Sequence, residues 1–93
     1  MDVPIHVRRK RYFERLDKTR ELLSMLKTYV ETAENLTYTI NMNINMNTSM
    51  TVYETLRSLV EITKAIVRVT EELKESTEYL KDKYDFMLFR ESV

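Results

Sequence analysis

Chemistry in this chain would have to come from very few residue types. Among its 93 residues there is one histidine, His6, and there is no cysteine, glycine or glutamine. A lone imidazole has no second His or Cys with which to share a metal. Ser24, Ser49, Ser58, Ser76 and Ser92 have no histidine near them in sequence to serve as a base. Without glycine there is no phosphate-cradling P-loop and no dinucleotide fingerprint. Without cysteine there is no disulfide, thiolate metal site or cysteine nucleophile. Glu71, Glu75 and Glu78 recur on one face of a helical reading, but carboxylates lacking a convergent pocket make a solvated face, not an acid–base pair. We therefore expect no catalytic residue, no metal, no cofactor and no small-molecule substrate, and read the chain as a non-enzyme.

Binding residues are better represented. Arg8, Arg9, Lys10, Arg11 and Arg15, with Lys18 and Arg20, give residues 1–20 a formal charge of about +4. That segment suits nucleic acid or another acidic partner. Residues 71–93 carry seven acids and four bases, so an antiparallel arrangement would also let the acidic end neutralise the basic one. Positive charge at a helix start opposes the helix dipole, which limits that neutralisation. A second candidate is the row Asn41, Asn43, Asn45 and Asn47 with Thr39, Ser49 and Thr51. Asn reads adenine edges well, and two-stranded ribbons enter the major groove; a solvated face is the plainer account.

The elements that must position these residues follow from periodicity. From Tyr38 to Val52 the chain reads YTINMNINMNTSMTV, with Ile40, Met42, Ile44, Met46 and Met50 alternating with polar residues. Period two is the signature of an extended chain with one buried face, and Asn and Thr are poor helix formers. This predicts a central β element over 37–52, either a hairpin turning at Asn43-Ile44-Asn45 or one long strand. Its Met/Ile face would be core or oligomer interface, with Ile40, Met42, Met46 and Met50 buried and Asn41, Asn43 and Asn47 exposed. Heptad patterns flank it. Tyr12, Leu16, Thr19, Leu23, Leu26, Val30 and Ala33 form the main column of a first helix over 5–34, beside a second column of Leu22, Tyr29 and Leu36. Asn35 would cap its end. Thr51-Val52-Tyr53-Glu54 fits a capping box for a second helix over 52–89, whose stripe is Leu56, Leu59, Thr63, Ile66, Thr70, Leu73, Thr77, Leu80, Tyr84 and Met87. Val60, Ile62, Ala65, Val67 and Val69 lie off that stripe, so the middle of this helix is apolar on several sides and calls for cover from another chain.

The expected class is therefore α+β, mostly α: long helix, central β element, long helix, in one domain spanning 1–93. The interface of a coiled-coil-like oligomer is assigned to Leu59, Val60, Ile62, Ile66, Val67, Val69, Ile40, Met42, Met46 and Met50. Helix, hairpin, helix is similar to the plan of prefoldin subunits. That resemblance spans the whole chain, rests on no shared motif, and implies that hairpins on helical stalks assemble into oligomers that hold other proteins. The partners expected are the chain itself as a homodimer or larger, another protein, and alternatively nucleic acid.

Length allows a single small domain, a size that often leans on a partner. No apolar run approaches the ~18 residues of a membrane span, and no signal-peptide pattern opens the chain, so cytoplasm is the expected location, that of the host if the source is viral. The missing Gln and Cys point toward a thermophile, against which stand six Met and five Asn. Asn35-Leu36-Thr37 and Asn47-Thr48-Ser49 match the glycosylation pattern with no secretion signal to support it.

Overall fold

The computed structural model describes residues 3–46 and 49–88. Its class is all-α. α1 spans Ile5–Asn45 and α2 spans Ser49–Leu88, and no strand occurs among the described residues. The expected α+β class and the β element over 37–52 are overturned, and with them the strand-based hairpin of the prefoldin-like plan.

α1 opens as the sequence predicts. Pro4 stands just ahead of it, and its carbonyl accepts the amides of Val7 and Arg8 at 3.0 and 3.1 Å. A proline there loses nothing, because the first amides of a helix have no intrahelical acceptor. The helix then runs past Glu34. Asn35, read as a cap, lies inside it. Two physical reasons account for this. A row of apolar residues at every second position also contains pairs four apart, here Leu36/Ile40, Ile40/Ile44 and Tyr38/Met42/Met46, and such pairs are neighbours on a helix. Neither Gly nor Pro interrupts residues 5–45, and extending an existing helix costs far less than starting one.

Continuing the helix fully buries none of the described asparagine amides over 41–45. Asn41 and Asn45 are exposed to water and Asn43 is half-buried, while Asn47 lies outside the described residues. Of the four hydrophobic residues expected to be buried, Ile40 is half-buried, but Met42, Met46 and Met50 are 45%, 67% and 74% exposed. Thr51, read as a cap, is likewise inside α2, where its carbonyl accepts the Thr55 hydroxyl at 2.8 Å. Such back-bonding to the carbonyl four residues earlier recurs at Thr28, Thr32, Thr39 and Thr70, and satisfies the hydroxyls of residues that otherwise compete with helix.

Packing divides the chain into two compact units, Met1–Leu23 with Glu71–Val93 (unit 1) and Ser24–Thr70 (unit 2). Each takes one segment from each helix. In unit 1 the covered positions of α1 are Arg8, Tyr12, Arg15, Thr19 and Leu22, stepping by four and three as in a coiled-coil seam. Leu73, Ser76, Leu80 and Met87 cover the α2 side. The segments run antiparallel: Arg8 meets Phe86, Tyr12 meets Tyr84, Arg15 meets Tyr79 and Thr19 meets Ser76. Unit 2 keeps the same stepping, with Leu26, Tyr29, Ala33, Leu36, Ile40 and Asn43 on α1 and Val52, Thr55, Leu59, Ile62, Ile66 and Val69 on α2.

Candidate interaction surfaces

Unit 2 is poorly covered. Of the four buried apolar residues described, Tyr12, Leu22, Val69 and Met87, only Val69 belongs to it. Of fifteen large hydrophobic side chains left exposed among the described residues, eleven belong to it. Many of these form a second row. Tyr53, Leu56, Val60 and Val67, with Thr63 between the last two, follow the three–four stepping one residue after the seam positions Val52, Thr55, Leu59, Ile62 and Ile66. On α1, Val30 and Ile44 occupy the corresponding place one residue after Tyr29 and Asn43. In an antiparallel pair these following positions share one flank, so both helices contribute to one apolar face. The other flank carries an open groove of about 540 Å3 walled by Tyr29, Leu36, Ile62 and Ala65, with Arg57 and Glu61 at its edge.

The residues assigned to an oligomer interface therefore fall into two sets. Val69 is buried, and Leu59, Ile62, Ile66 and Ile40 are half-buried, all within the seam of unit 2. Val60 and Val67, with Met42, Met46 and Met50, are exposed. The sequence left Ile62 and Val69 off the main stripe, yet they complete the seam. Leu56, Thr63, Thr70, Thr77 and Tyr84 were read as stripe and are exposed.

In unit 1 the basic run separates by helix face. Arg9, Lys10 and Arg11 are exposed, Arg15 is half-buried and Arg8 is 5% exposed. The Arg8 Nη1–H donates to the Phe86 carbonyl at 2.6 Å, and its guanidinium lies 4.7 Å from the centre of the Phe86 ring. Arg15 repeats this seven residues later over Tyr79, also at 4.7 Å. The Lys83 Nζ sits 5.5 Å from the Phe86 ring centre. These cations are held by ring faces and a carbonyl. Among the described residues, Lys64 and Glu61 form an exposed ion pair at 3.4 Å. The sequence reading missed the pairing of Arg8 with Phe86 and of Arg15 with Tyr79, and the place of Lys83 beside them. The available signal was spacing: two arginines seven apart on α1 and two rings seven apart on α2.

Deeper in the same seam the Thr19 and Ser76 hydroxyls lie 2.7 Å apart. Thr19 has one proton and donates it to the Arg15 carbonyl at 2.8 Å, so Ser76 donates to Thr19. The two substitutions should then differ. Ser76→Ala leaves Thr19 its carbonyl and should cost about 0.5–1.5 kcal/mol, whereas Thr19→Val strands a buried Ser76 donor and should cost about 1–3 kcal/mol. Urea denaturation of both variants checks this, and equal losses would contradict the assignment of the proton.

Among the described residues, no group of His, Asp and Glu side chains is arranged to hold a metal ion, and no helix is long and apolar enough to cross a membrane. No family model, curated protein or solved structure matches the chain. The class that can be stated is thus structural: a protein of two long helices that meet along heptad seams.

Proposed function

We propose that this is a non-enzymatic interaction and assembly protein, working in the cytoplasm as a homo-oligomer that binds another protein in a chaperone-like, scaffolding or inhibitory role. One observation carries the reading: the exposed apolar row Tyr53, Leu56, Val60 and Val67 on a unit with a single buried apolar residue among those described. An apolar face of this extent is uncommon on a monomer and marks an interaction site. Heptad spacing makes it fit another helix. A second copy is the occupant the chain supplies itself, since a two-fold interface sets the same row against itself. Formal net charge is zero, so no long-range repulsion opposes association. Sedimentation equilibrium at micromolar concentration should give a mass of two chains or more. A stable, fully folded monomer would reject the proposal.

A further inference from the structure

We infer that the end of unit 2 formed by the last turn of α1 and the first of α2 binds a soft monovalent metal ion, Cu(I), through the thioethers of Met42, Met46 and Met50. His, Cys and carboxylate are not the only metal ligands a chain can offer; thioether sulfur selects Cu(I) over harder divalent ions. Met42 and Met46 are one helical turn apart, and the Met46 amide donates to the Met42 carbonyl at 3.0 Å, so the turn that stacks them is closed. At that spacing the Cβ atoms are about 5–6 Å apart, and unbranched side chains with three rotatable bonds let both sulfurs reach one ion. Met50 follows Met46 by four residues, as the second residue of α2. The chain can separate their Cα atoms by at most about 14 Å. Within unit 2 the two helices pack side by side, with axes about 8–10 Å apart, which holds them nearer.

Packing does not account for these side chains. Met46 and Met50 are the two most exposed large hydrophobic residues among those described, and Met42 is exposed as well. Met42 precedes the seam position Asn43, whereas Ile44 and the apolar row on α2 follow theirs. Met42 and Met46 therefore stand on the flank away from the face proposed for self-association, and the site does not depend on that face. No charged residue lies between Glu34 and Glu54. The segment thus offers no carboxylate to draw a hard divalent cation and no ammonium to repel a monovalent one. The end of α1 favours a cation and the start of α2 opposes it, which leaves the sulfurs to decide the affinity.

Titration of the full chain with Ag(I), and with Cu(I) under anaerobic conditions, tests the site when read by the methyl resonances of isotope-labelled methionine. Either ion should shift Met42, Met46 and Met50 together, saturating at one ion per chain, and leave Met25 and Met87 in place. Met42→Leu, Met46→Leu and Met50→Leu each keep an exposed apolar side chain of similar volume, so the fold should survive. Each should weaken binding tenfold or more, since even groups behind the ligands of a metal site are worth about that much. Met25→Leu, elsewhere in unit 2, should change nothing, and Zn(II) should leave the three methyls unmoved. No saturable binding of Ag(I) or Cu(I), equal losses for Met25→Leu and Met46→Leu, or the same shifts with Zn(II), would overturn the proposal.

Discussion

Leu22→Ala should lower the stability of the protein by about 2–5 kcal/mol, while Leu23→Ala, one residue further on, should change it by about 0.5 kcal/mol or less. Leu22 is 1% exposed and Leu23 is 50% exposed. Removing three carbons from a site closed on all sides loses their burial and leaves a cavity; the same change on an open face does neither. A small domain has about 5–15 kcal/mol in total, so the first variant spends a large share of it. The urea midpoint should fall with an unchanged slope, because the surface exposed on unfolding is nearly the same. The pair also tests register. The sequence ranks Leu23 in the main column and Leu22 beside it, so equal effects, or a larger one at Leu23, would place the seam one residue away.

The two helices were legible for separate reasons. α2 carries apolar residues at heptad spacing from Leu56 to Met87 with no breaker, and only its first residues were misplaced. α1 was legible to Glu34 and then lost, because residues 38–52 satisfy two periods at once. Alternation fixes a strand only when one face is buried, and here Met42, Met46 and Met50 are exposed. Nothing local records that absence of burial. Register failed in the same way. Both helices carry apolar columns wider than a seam, and which column faces inward depends on the other helix. The Arg8–Phe86 contact joins residues 78 apart, so its geometry requires the antiparallel register to be known first. What the sequence did show was composition: a basic segment, and an α2 middle too apolar for one partner helix to cover.

Replacing Val60 and Val67 together by Asp should abolish assembly while leaving the protomer able to form its own seams. Both side chains are more than half exposed, at 51% and 58%, so in an isolated protomer the new carboxylates remain hydrated. At an apolar interface each would be buried without a partner, at a cost of about several kcal/mol, and in a two-fold assembly every substitution acts twice. The variant should sediment as a single chain at concentrations where the parent does not. Its thermal midpoint should also stop rising with protein concentration, because only association with the folded form produces that dependence. Val69→Asp provides the contrast. Val69 is buried within unit 2 itself, so that charge should destabilise the protomer at every concentration. A double variant that sediments like the parent would move the interface off this face. The groove beside Tyr29, Leu36, Ile62 and Ala65 would then be the next surface to test, by Ala65→Glu.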